Sequence, residues 1–212
     1  MPIRTLLVGH QESAPYHPLG AVQERLTAIW GDEFHVTAEE GTAGLRKERI
    51  GNYELVVSYT DSWKTPAAPE EIAGLLAYVA QGGGLLVLHN GMSLQAAPEL
   101  AQLAGGYFTG HPPYTGLEFQ VTEAGASHPL SAGLPGFTMD EEPYRYDLDP
   151  LAKAQVLMTY RHEGQDHPAA WTRPYGLGRV AVLAPGHHLP SFQHEAYSLW
   201  VRKAALWAAD KL

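Results

Sequence analysis

The sequence predicts an α/β fold, a parallel sheet with helices on both faces. Short apolar runs alternate with segments of helical periodicity from residue 5 to residue 104. The runs Leu6–Val8, Leu55–Val57 and Leu85–Leu88 are unbroken rather than alternating, as in strands buried on both sides. After Tyr107 the regular patterning degrades, and the apolar stretches there predict additional strands in the C-terminal half.

Thr5–Val8 reads as the first strand, ending in Gly9 and His10. Leu19–Trp30 follows as a helix, because Val22, Leu26 and Ile29 recur at helical spacing. Glu33–Thr37 is a second strand, Leu45–Ile50 a short helix and Leu55–Tyr59 a third strand. Pro69–Gln81 is a helix with proline in its first turn. Leu85–Leu88 is the fourth strand, and Gln95–Ala104 a helix closed by Gly105 and Gly106. Leu117–Thr122, Tyr144–Asp147, Gln155–Thr159, Ala169–Thr172 and Arg179–Leu183 read as strands. Phe192–Ala209 is the closing helix, and its stripe of Tyr197, Trp200, Val201, Ala204 and Trp207 reads as core.

The 212 residues suit one compact domain, 1–212, and 45% apolar content provides a sizeable core. The net charge of -9 and the lack of any basic run argue against nucleic acid, whose phosphates need clustered Lys and Arg. With no cysteine, disulfides, thiolate metal sites and Cys nucleophiles are excluded. No apolar stretch is long enough for a signal peptide or a membrane span, so a cytoplasmic protein with no membrane partner is expected.

In open parallel sheets, ligands bind outside the carboxyl ends of the strands. Histidines follow three of the expected strands: His10 with His17 close behind, His89 beside Asn90 and Gly91, and His187 beside His188. One such histidine is ordinarily a hydrogen-bonded structural residue, but the topology would bring these to one edge. His111 lies in a Gly/Pro-rich loop that could cover that edge, whereas His128 before Pro129 reads as a turn. The stretch from Met139 to Asp147 is a solvated acidic loop, or one that delivers a carboxylate to the histidines. Sets of His and carboxylate suit Zn, Mn or Fe, and equally proton transfer near neutral pH. The H-E-x-x-H, G-x-S-x-G and P-loop patterns are absent. Gly82–Gly84 precedes its strand, so it is not a phosphate cradle, and no nucleotide cofactor is expected.

The order of these features resembles the ThuA-like, trehalose-utilisation family over about residues 75–209. A glycine-rich entry leads a strand to His89, followed by Gly105 to Phe108, His111-Pro112, His128-Pro129 and Glu142-Pro143-Tyr144. Ala170-Trp171, Gly178-Arg179, Gly186-His187 and Trp207 complete the series. The resemblance implies a class I glutamine amidotransferase-like fold with a flavodoxin-like sheet, as a single ThuA-like domain. It places His89 where glutaminases carry the nucleophilic Cys and His187 where they carry the later His, so the elbow is kept and glutaminase chemistry is not. It also links the chain to trehalose and related sugar catabolism through keto-sugar intermediates.

The expectation is an enzyme acting on a small-molecule carbohydrate, a keto-sugar isomerase, lyase or hydrolase. His89, His187 and Glu142 would be catalytic, or would ligate a divalent Zn, Mn or Fe. His17, Asn90, His111 and Tyr144 would bind substrate, with Tyr16, Trp63 and Tyr114 as stacking candidates. The alternative is a non-catalytic domain that binds a sugar or a metal. The sequence is silent on oligomeric state; a homodimer is what an exposed apolar surface would produce.

Overall fold

The computed structural model describes residues 1–212. Five parallel strands occupy half of a nine-stranded sheet: β1 (Ile3–Gly9), β2 (Phe34–Glu40), β3 (Leu55–Tyr59), β4 (Gly84–Leu88) and β11 (Gly178–Leu183). The other half is antiparallel and holds β6 (Thr115–Val121), β7 (Phe137–Glu141), β9 (Gln155–His162) and β10 (Gln165–Tyr175). The order is β2-β1-β3-β4-β11-β10-β9-β6-β7. A separate ribbon pairs β5 (Gly106–Gly110) with β8 (Arg145–Leu148). The parallel half and the extra C-terminal strands are as the sequence predicts.

Period-two alternation splits the parallel strands between two cores. Leu7, Leu86 and Leu88 join one cluster with α1 (Leu19–Trp30) and α7 (Glu195–Ala208), through Leu26, Trp200 and Val201. Leu6, Val8, Leu85 and Val87 face the other, with α3 (Pro69–Ala80) and α4 (Pro98–Ala104), through Leu75 and Leu100. The unbroken apolar runs are therefore strands buried on both faces. The short elements are α2 (Lys47–Ile50), α5 (Glu123–Ser127) and α6 (Leu189–Gln193). No helix is long and apolar enough to cross a membrane.

Several boundaries differ from the sequence reading. The helix expected over Gln95–Ala104 starts at Pro98, and His89–Ala96 forms 3-10 turns. Proline fits the first helical turn because it has no N–H to leave unpaired there. The closing helix is two helices: His194 is extended between α6 and α7, and its side chain caps Tyr197 N. β5 is a strand that the sequence suggests before His111 without giving its bounds, whereas β7 and the helix α5 have no counterpart in the sequence reading, which has Met139 onward as loop.

Candidate active site

The carboxyl ends of β1, β3, β4 and β11 open into a cleft of about 700 Å³. On its floor, one nitrogen each from His17, His89 and His187 and one oxygen of Glu142 lie within 4.8 Å of one another. His17 comes from the loop after β1, His89 from the turn after β4 and His187 from the loop after β11. Glu142 directly follows β7.

His89 has φ +44, a left-handed conformation unusual for a non-glycine residue. The turn is sharp because Gly91 lies against β3, where a Cβ would stand 2.1 Å from the Ser58 carbonyl oxygen. Packing thus holds His89 in a conformation costing roughly 1–2 kcal/mol. The His89 side chain is fully buried, and its Nδ1 donates to the Ala184 carbonyl at 2.7 Å. That bond assigns the proton to Nδ1 and leaves the Nε2 lone pair facing the cluster. Nε2 lies 3.3 Å from Glu142 Oε2 and has no hydrogen-bond partner.

His17 is oriented in the same way. Its Nδ1 bonds Asp61 Oδ2 at 2.9 Å, and its Nε2 faces His187 Nδ1 at 3.1 Å. Trp63 Nε1 donates to the other Asp61 oxygen at 2.7 Å. Burial lowers the pKa of His17, partly offset by the bond to Asp61. Burial acts to raise Asp61, but the hydrogen bonds from His17 and Trp63 and the charge of the neighbouring imidazoles together outweigh it, and the carboxyl is held below its ordinary range.

The His187 Nδ1 proton sits between His17 Nε2 at 3.1 Å and Glu142 Oε2 at 3.2 Å. Glu142 raises the His187 pKa against the opposing effect of burial. Burial favours neutral Glu142, but the proton that His187 directs at it opposes this, and the carboxyl is held well below the usual carboxylate range.

The donor set fits a divalent metal. A tetrahedral shell with ligands at ~2.1 Å has edges of roughly 3.4 Å. The distances of 3.1, 3.2 and 3.3 Å around Glu142 and His187 are close to that. A carboxylate and a carbonyl behind two of the imidazoles fix the tautomers that metal ligation needs. The unpartnered Nε2 of His89 is the kind of buried atom an ion would satisfy.

The cleft wall is aromatic. Trp63, Phe108 and Tyr144 pack together, with ring centroids 4.7 Å apart for Trp63–Phe108 and 4.3 Å for Phe108–Tyr144. Tyr144 stacks on His89 at 3.9 Å. His111 stands at the rim, stacked on Tyr144, with Nδ1 3.8 Å from Glu142 Oε1. Tyr16 lines the mouth and is 74% exposed.

Of the residues expected at the site, His17, His89, His187 and Glu142 converge, and His111 and Tyr144 line the same cleft. His17, expected to bind substrate, joins the four-donor cluster itself. Asn90 does not reach the cleft: it is fully buried, and its amide donates to the carbonyls of Tyr59 and Thr60. Of the stacking candidates, Tyr16 and Trp63 line the cleft, while Tyr114 bonds His188 Nε2 beside it. His128 is structural, accepting from Leu130 N and packing on Trp207. Sequence reasoning did not single out Asp61, or Glu141, which is 1% exposed. The alternation Phe137, Met139, Glu141 was a signal for the latter, since all three point inward.

A search of curated proteins yields no match. Among solved structures, the fold matches a ThuA-like protein of Parabacteroides merdae with TM-score 0.82 and 20% identity, covering 99% of this chain and 90% of that one. A ThuA-like protein of Bacteroides uniformis matches with TM-score 0.78 and 19% identity, covering 98% and 91%. A Salmonella typhimurium protein described as cytoplasmic matches with TM-score 0.72 and 16% identity, covering 97% and 99%. The profile of the ThuA family, described as trehalose utilisation, matches residues 7–208. With nearly the whole chain inside that match, the protein belongs to the ThuA family, a membership that ties it to carbohydrate utilisation.

Proposed function

We propose that the protein is a carbohydrate-catabolism enzyme that acts on a neutral keto sugar and uses a divalent metal, Zn, Mn or Fe, held by His17, His89, His187 and Glu142. The observation that carries this reading is the convergence of the four donors, with His89 Nε2 unpartnered, under an aromatic wall. The ion would act as a Lewis acid toward a sugar oxygen. The chain's own residues do the rest. Trp63, Phe108 and Tyr144 offer an apolar wall for one face of a pyranose ring. Asp61 holds His17 in its ligating tautomer. His111, at the rim and partly exposed, is the imidazole placed to exchange a proton with substrate and solvent.

The charge of the lining supports a neutral substrate. It contains the carboxylates of Asp61 and Glu142 and neither Lys nor Arg. A phosphorylated sugar would find no fork of donors for its phosphate. The nearby Arg145 is engaged with Glu163 and His162. The description of the Salmonella neighbour supports a cytoplasmic location.

Metal analysis tests the reading. Tag-free protein purified without chelator should carry about one Zn, Mn or Fe per chain, and His89→Ala and His187→Ala should each lose it. Metal-free wild-type protein, unable to take up added ion, would refute the metal centre. Sugar binding without turnover at full metal loading would instead favour a non-catalytic binding domain.

A further inference from the structure

We infer that Glu141 is a positioning residue that locks two of the four cluster ligands, His187 and Glu142, into one geometry. The inference rests on the metal-centre reading above. Glu141 is the last residue of β7, an edge strand, and it points inward with Phe137 and Met139. Its carboxylate is 1% exposed and reaches the loop after β11, far away in sequence. Oε2 accepts from Gly186 N at 2.8 Å, from His187 N at 3.3 Å and from Ser191 Oγ at 2.8 Å. Oε1 accepts from Glu142 N at 2.9 Å. One side chain therefore holds the backbone of both ligands, although His187 lies 46 residues from Glu141 itself.

The surroundings show why a carboxylate is needed. Gly186 has φ +130, and a Cβ there would stand 3.1 Å from Phe192 and 3.3 Å from the His89 Cβ. The loop is thus closely packed on the site, and its N–H groups point away from any regular ladder. Two further bonds hold it from other sides: Tyr59 OH donates to the Gly186 carbonyl at 2.8 Å, and Tyr197 OH to the Pro185 carbonyl at 2.5 Å. Those hydroxyls fix the carbonyls, and only Glu141 fixes the N–H groups that precede the His187 side chain. An amide in its place would present an NH₂ to one set of donors and leave them unmatched. Backbone shifts of a few tenths of an ångström at His187 are enough to spoil ligand geometry.

The test uses Zn²⁺ alone, titrated calorimetrically into chelator-stripped full-length protein. Glu141→Gln should bind Zn²⁺ about 10- to 100-fold more weakly than wild type while keeping its far-ultraviolet circular dichroism. Glu141→Asp keeps the charge but cannot span both donor sets, and should show the same direction of loss. It decides the matter if the Gln variant does not fold. Folded variants that bind Zn²⁺ within about twofold of wild type would overturn the inference. If wild type binds none of Zn²⁺, Mn²⁺ and Fe²⁺, the metal reading falls by itself. Hydrogen exchange at Gly186 and His187 then decides whether Glu141 holds the loop: faster exchange in Glu141→Asp is expected, and unchanged exchange would overturn it.

Discussion

His89 shows how one residue carries both strain and chemistry. Its positive φ would suit glycine, yet the position holds an imidazole whose Nε2 completes the cluster. Replacement by Ala or by Gly removes the imidazole equally but differs in backbone cost. His89→Gly should therefore be more stable than His89→Ala by about 1 kcal/mol, measured by urea unfolding, because only Ala keeps the left-handed penalty. Equal stabilities would show that the turn relaxes once the side chain is gone. His89 and His187 were legible in the sequence as histidines just past apolar runs, and Glu142 through family resemblance. Asp61 and Glu141 were not, because each acquires its role only from a partner more than forty residues away.

Elements with unbroken apolar runs or clean helical spacing were read almost to the residue, as with α1 and β3, whose bounds coincide with the sequence reading. Those elements are specified by local pattern and burial on both faces. The strand β7 lacks such a run: its outward residues Thr138 and Asp140 and its acidic end made it look like loop. Pairing with β6 along five residues makes it a strand, and that register is a tertiary fact. The turn after β4 is defined by close approach to β3. Gly91→Ala should destabilise the protein by about 1–3 kcal/mol, read by thermal or urea unfolding, because the methyl group would meet the Ser58 carbonyl. A loss below 0.5 kcal/mol would mean the turn can move off the strand.

At the scale of the whole molecule, the site couples stability to pH in opposite senses. The raised pKa of His187 means the folded metal-free protein holds that proton more tightly than the unfolded chain does. This stabilisation is complete below the ordinary value of 6.5 and is lost as pH rises through the raised one. Asp61 and Glu142 are depressed, so their stabilisation is present above 3.8 and 4.5 and is lost as pH falls through the folded values. The lowered pKa of His17 likewise costs stability as pH falls below 6.5. Glu142→Gln removes the group that raises His187. It should flatten the decline of metal-free stability as pH rises above 6.5, measured by urea unfolding over a pH series. An unchanged slope would place the source of the decline elsewhere. The sequence showed the parallel half of the sheet clearly, and the antiparallel half only as scattered strands, since its pairings are set by distant contacts.

The four donors stand at residues 17, 89, 142 and 187, so any stretch of chain that contains the site also contains every strand but β1. An ion seated there would act as a reversible staple, tying segments up to 170 residues apart. Its occupancy would then depend on the ends of β1, β4, β7 and β11 being in place at once. In a cell, the metal supply would help set how much of this protein persists folded, because anything that binds only the native chain draws the folding equilibrium toward it.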